Sequence, residues 1–267
     1  MTRTRSLLSR LQRLALAHRL QRHGIDDALW HGVTRHLPLL DRYGAVEKAR
    51  LRVLTTRFLQ RKSFTGAHGF EITPQMAVVI AAQACVPILE LDIGLYDGWH
   101  SVIVYPDAFI VAHEVEDEFG LVHEESRVLG GEAWSEGPVI LAWDDVERDS
   151  FQPHPGHHVV IHEFTHKLDM GNGRANGMPP LPLEMSVEAW TRAFREAFDR
   201  LDRRLRRGHA DIDPYAATEP GEFFAVCCEY FFTAPEVLWQ HYPRVYRQLR
   251  RYFRQDPLAR RRYRKSR

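Results

Sequence analysis

Residues 162–166 read His162-Glu163-Phe164-Thr165-His166, and this pentapeptide decides how the rest of the chain is read. It sits in a run entered through Val159, Val160 and Ile161 and stopped by Gly171-Asn172-Gly173, so the spacing predicts a helix over Gly156–Met170. Two histidines four apart on a helix leave the same face about one turn apart, and both imidazoles reach one ion. Neutral imidazole is a good zinc ligand. Glu163 stands close to the metal without needing to bind it, the place for a general base acting on metal-activated water. The alternative for the pentapeptide alone is an ordinary helix with surface histidines.

A catalytic zinc takes three protein ligands and keeps one position open. The metzincin spacing would put glycine at position 169 and histidine at 172, where this chain has Asp169 and Asn172, so that arrangement is excluded. The other source is a carboxylate from a later helix. Glu222 stands at the start of an apolar helix opened by Pro220 and running to about Phe232. Glu229 follows seven residues on, along the same face, as an acceptor for a ligand histidine. Buried acids on such a helix are costly unless something neutralises them, and a metal does so. The alternative for Glu222 is an acid placed by the helix dipole. Asp169, on the ligand face of the first helix, either orients an imidazole or caps the local turn. His113, His123, His154, His157 and His158 are weaker candidates; for the last three, crowded at the helix entry, exposure to solvent is expected.

Upstream, Leu7, Leu8, Leu11, Leu14 and Leu20 recur at helical spacing, and residues 26–42, 45–62 and 73–83 read as further helices around a break at Ser63–Gly69. Val102–Tyr105, Ala108–Val111 and Val139–Trp143 carry strand signals. The last of these is either an edge strand open to an extended peptide or a purely structural one. Ser186 caps a long helix with the stripe Val187, Trp190, Phe194, Phe198, Leu201 and Leu205.

The chain has 267 residues, 44% of them hydrophobic and 27% charged, enough for a sizeable core and against wholesale disorder. Its formal net charge of +1 is unevenly placed. Residues 1–24 carry six Arg and no acid, and residues 244–267 carry eleven Lys or Arg against Asp256 alone, so the central body is strongly acidic. That body is a poor platform for phosphates, and no direct nucleic-acid partner is expected. Three cysteines, two of them adjacent, form no disulfide framework and point to the cytoplasm. Arg10, Arg13 and Arg19 interrupt any secretory core, and no stretch is long enough to cross a membrane.

The blocks HEFTHKLDM at 162–170, DPYAA at 213–217 and EFFAVCCEYFF at 222–232, with GPVILAWDDV at 137–146, resemble the Mlc titration factor A family of bacterial cytosolic zinc metallopeptidases. The resemblance extends over nearly the whole chain. The catalytic region is also similar to the metalloprotease domain of anthrax lethal factor, in which a Tyr precedes a Glu ligand by seven residues, as Tyr215 precedes Glu222 here. The resemblance implies an α+β, gluzincin-type, zincin-like domain with a small mixed sheet. The corresponding division is a helical N-terminal region (1–80) packed on a metallopeptidase domain (81–250), then a basic C-terminal tail (251–267). It implies one Zn2+ per chain on His162, His166 and Glu222, with Glu163 as base and Tyr215 as electrophilic helper. It further implies aminopeptidase-type cleavage of peptide substrates and binding of a glucose-responsive repressor, Mlc. Two rival readings are a repressor-titrating protein with a residual zinc site and a non-peptidase zinc hydrolase.

Overall fold

Residues 24–116, 122–129, 131–133 and 137–260 are described by the structure, a computed structural model. The helix expected over Leu7–Leu20 and the last residues of the basic tail lie outside them. Asp26 caps helix α1, Asp27–Thr34, by accepting from Leu29 N at 2.7 Å. The helix expected over 26–42 ends there. Pro38 holds Leu37 in extended backbone, and the chain resumes as a 3-10 turn over Pro38–Arg42. Helix α2, Ala45–Arg61, and helix α3, Pro74–Ala84, fall close to their expected spans. Almost every residue of α3 is buried, which marks it as an interior helix and not a surface one.

A four-stranded mixed sheet lies beside these helices. Strands β1 (Ser63–Gly66), β2 (Ser101–Tyr105) and β6 (Val139–Ala142) run parallel in that spatial order, and β5 (Gly131–Ala133) pairs antiparallel with β6. Two expectations need correction here. The Ser63–Gly69 break contains β1, a strand too short and too alternately exposed to leave an apolar signal. Of the two readings of Val139–Trp143 the structural strand stands and the edge strand fails: β6 has neighbours on both sides, and β5 is outermost on that flank among the described residues. Nor does the strand reach Trp143, which opens helix α4, Trp143–Phe151, with Asp144 and Asp145 in its first turn. The strand expected at Ala108–Val111 is longer, β3 over Phe109–Glu116, paired antiparallel with β4 over Val122–Leu129 as a separate ribbon. His113 and His123 belong to that ribbon, in a sheet apart from the pentapeptide.

The pentapeptide lies on helix α5, Val159–Asp169. The capped helix after Ser186 is α6, Val187–Leu205, with Ser186 Oγ accepting from Ala189 N. Helix α7, Pro220–Thr233, then runs against α5 and is followed by α8 (Pro235–His241) and α9 (Pro243–Phe253). The α6 stripe is as expected except at Val187, which is 54% exposed. Trp190 and Phe194 of that stripe pack on Phe224 of α7.

The main core cluster runs from Ile25 to Phe253 and takes in residues of helices α1–α9 and of strands β2 and β6. Phe164 of α5 enters it on the side away from the histidines. Its ring lies 5.6–5.8 Å from those of Phe58, Tyr96 and Trp99. Each such pair contributes about 0.5–1.5 kcal/mol beyond simple burial, so the aromatic nest fixes the rotation of α5 about its axis. Among the described residues no helix is long and apolar enough to cross a membrane.

Candidate metal centre

Helix α5 is held at its entry by three acceptors. Its first amides have no partner within the helix, and a buried end must satisfy them otherwise. His158 N donates to Glu229 Oε2, Val159 N donates to Asp149 Oδ2 at 2.8 Å, and Ile161 N donates to His158 Nδ1 at 3.4 Å. His158 is therefore the N-cap, and it is 2% exposed. Solvent exposure, expected for His154, His157 and His158 alike, holds for the first two and fails for His158. Its burial is enforced by Gln83 of α3, whose Oε1 lies 2.9 Å from His158 Nε2. Burial also holds the imidazole below its ordinary pKa, in the neutral form that a cap requires.

One turn further, His162 and His166 present their rings side by side, with centroids 4.8 Å apart. Their Nε2 atoms are 3.1 Å from each other. Glu222, in the first turn of α7, brings Oε2 to 3.0 Å from His162 Nε2 and 3.3 Å from His166 Nε2. Among the described residues this is the one His/Cys/Asp/Glu cluster compact enough to hold an ion. The three atoms form a nearly equilateral triangle. A tetrahedral ion with bonds of about 2.0–2.1 Å sets its ligand atoms roughly 3.3–3.4 Å apart, so the triangle fits such an ion with little adjustment. The donor chemistry fits as well. His162 Nδ1 lies 2.8 Å from Glu229 Oε1, an acceptor, so that nitrogen carries the proton and Nε2 offers its lone pair to the triangle.

The charges ask for a cation. Burial alone would lower the pKa of His162, yet Glu229, Glu222 and Glu163 together raise it well above the usual value. Burial would raise Glu222, yet its hydrogen bonds to His162 and His166 hold it well below the carboxylate range. Three carboxylates around two imidazoles thus favour a bound positive charge, and a divalent ion competes for that place with a proton.

Glu163 is 4% exposed and lies next to His162 on the helix. Tyr215 lies on the 3-10 turn Pro214–Ala217, which Asp213 starts by accepting from Tyr215 N at 2.9 Å. Its ring is 6.1 Å from that of His162 and remains exposed, at the rim of the triangle. Asp169 does not hydrogen-bond an imidazole. Its Oδ2 accepts from Gly177 N at 2.7 Å and closes the loop after α5, the turn-capping role of the two expected. Burial pushes its pKa up to about 6.

Sequence reasoning missed two residues here. Lys167 is buried, donates to Gly137 O at 2.9 Å, and lies 5.1 Å from the Trp99 ring centre. Lys62, with its ammonium 3.8 Å from the centre of the same indole, donates to Tyr96 O and Trp99 O. Burial pushes both ammonium groups down to about 8. The available signal for Lys167 was a lysine between the ligand-type His166 and the apolar Leu168; Lys62, between Arg61 and Ser63, offered none.

Comparison with known proteins agrees with this geometry. Residues 10–254 match the profile of the family described as glucose-regulated metallo-peptidase M90. The chain is 42% identical to Mlc titration factor A of Klebsiella pneumoniae subsp. pneumoniae over 230 residues, which cover 85% of this chain and 86% of that protein. It is 43% identical to Mlc titration factor A of Salmonella paratyphi B over 239 residues, 88% of this chain and 87% of the relative.

Proposed function

The chain belongs to the glucose-regulated metallo-peptidase M90 family, and from that premise we propose that it hydrolyses peptide bonds with a zinc ion held by His162, His166 and Glu222. The observation that carries this reading is the triangle of Nε2, Nε2 and Oε2 atoms with sides of 3.0–3.3 Å, backed by an acceptor on His162 Nδ1. A divalent ion at that point would polarise the scissile carbonyl and acidify a water. The protein supplies the rest. Glu163 takes the proton of the attacking water on its carboxylate and returns it to the leaving amine, a role worth about 10²–10⁴-fold in rate. Tyr215 offers a hydrogen bond from its phenolic hydroxyl to the oxygen of the tetrahedral species, from a partly exposed position at the rim. β5, which lies against α5 and is the outermost strand on that flank among the described residues, receives the peptide in extended form.

Cleavage of the aminopeptidase type and a cytoplasmic location are part of the same reading and rest on the resemblance. A second role is favoured by the relatives' shared name, Mlc titration factor A: binding of an Mlc-type repressor by this chain. Metal analysis of the purified protein, followed by a peptide-library digest with and without chelator, tests the first role. Glu163→Gln should retain one metal per chain and lose nearly all hydrolysis. Full turnover in that variant would remove Glu163 from the mechanism. Repressor capture that survives in Glu163→Gln would separate the two roles.

A further inference from the structure

The ligand His162 is oriented through a buried chain that begins 79 residues earlier in sequence, in α3. Gln83 is fully buried, and it is fixed at its amide nitrogen by Val79 O at 3.1 Å and Ser150 Oγ at 2.8 Å. That leaves Gln83 Oε1 to accept from His158 Nε2 at 2.9 Å. With the proton on Nε2, His158 Nδ1 is free to accept from Ile161 N, and the imidazole is locked at both nitrogens. The backbone amide of the same residue donates to Glu229 Oε2, whose other oxygen holds His162 Nδ1. His158 O accepts from His162 N at 3.0 Å, so residue 158 also sets the backbone of the ligand. Every side chain in this relay except His162 itself is buried.

We propose that Gln83 and His158 are positioning residues for the metal centre. The Gln83–His158 link fixes where the residue-158 amide points, that amide fixes the rotamer of Glu229, and Glu229 fixes the tautomer and ring plane of His162. The proposal rests on the reading of His162, His166 and Glu222 as metal ligands. It adds that a glutamine on an N-terminal helix governs their affinity. Burial of an imidazole–amide pair is costly unless each polar atom is satisfied, and here each hydrogen-bonding position of the imidazole is matched. A cap alone would need neither the imidazole nor Gln83, since Asn or Ser caps a helix at least as well.

The test uses the full chain and measures zinc affinity by competition with a chromophoric chelator, alongside thermal melting of the metal-free protein. His158→Asn keeps an acceptor for Ile161 N and loses the reach to Gln83. Gln83→Leu keeps the volume and loses the acceptor. Each variant should bind zinc about tenfold or more weakly than wild type, the usual scale for losing a partner of a ligand histidine. A near-normal absorption spectrum of the cobalt-substituted wild type should become altered in both variants. Wild-type affinity in both, with only a lower melting temperature, would overturn the proposal and leave the pair a structural one. His162→Ala is the control that tells the two levels apart. If wild type and His162→Ala bind zinc alike, the ligand assignment has failed, not the relay.

Discussion

Replacing Gly177 by alanine should damage stability and metal affinity together. Gly177 sits at φ +80°, donates to Asp169 Oδ2, and accepts from Trp190 Nε1 at 2.9 Å, so it ties the ends of α5, α6 and α7 together. A Cβ there would come 2.6 Å from Pro220 O, a backbone atom that no rotamer change can move aside. The left-handed backbone alone costs an alanine about 1–2 kcal/mol. Overpacking against α7 adds about 1–3 kcal/mol. With a urea dependence of about 3 kcal/mol per molar, a chain of this size should lose roughly 1 M in unfolding midpoint. Gly208→Ala is the matched control: φ is +75° there too, but a Cβ would meet nothing within 4 Å. It should lose only the backbone share. Because Pro220 precedes Glu222 by two residues, Gly177→Ala should also weaken zinc binding about tenfold while Gly208→Ala leaves it alone. Equal midpoint losses in the two variants, with equal zinc affinity, would refute the contact as described.

The remaining expectations are simpler. Cys85, Cys227 and Cys228 are fully buried, and burial pushes their thiols up, so the native protein should not react with a chromogenic disulfide reagent while the unfolded chain releases three equivalents. Removing metal with a chelator should lower the melting temperature, since an ion that binds only the folded state at a thousandfold over its Kd contributes about 4 kcal/mol. A melting temperature unmoved by chelator in metal-loaded protein would argue against a tight site. Lys62 has a folded pKa of about 8, below its unfolded value, so the folded state gives up this proton first. The cost of the buried charge is fully present below pH 8 and fades as the pH climbs towards the unfolded value, so this lysine's own share of stability should rise over that interval, against the loss carried by the three buried thiols. Lys62→Met should lack that share, so its advantage in urea midpoint over wild type should shrink between pH 8 and pH 10.

Periodicity carried the parts of this fold that are long and one-sided. The α6 stripe from Trp190 to Leu201 and the spacing of His162, His166, Glu222 and Glu229 were legible because each places side chains on one face at a fixed interval. What escaped was set by distant partners. His158 resembled its exposed neighbours in sequence, and only Gln83, brought over on α3, makes it a buried cap. Strand β1 is four residues whose pairing with β2 supplies what its composition lacks. The place of β6 inside the sheet depends on β5, three residues with no strand signal of their own. In 26–42 the helical pattern was real up to Thr34, but Pro38 overruled it through the residue before it.

Helix α7 carries both Glu222, which meets the two imidazoles at the triangle, and Glu229, which steadies one of them from behind. Both grips on His162 therefore belong to a single rod, and that rod is clasped at its far end by Arg42, which donates to Phe232 O and Thr233 O. Sliding or twisting the rod against α5 loosens inner and outer grips at one stroke. A push on the distant arginine clasp therefore reaches the triangle and its backing carboxylate together, because one helix carries both.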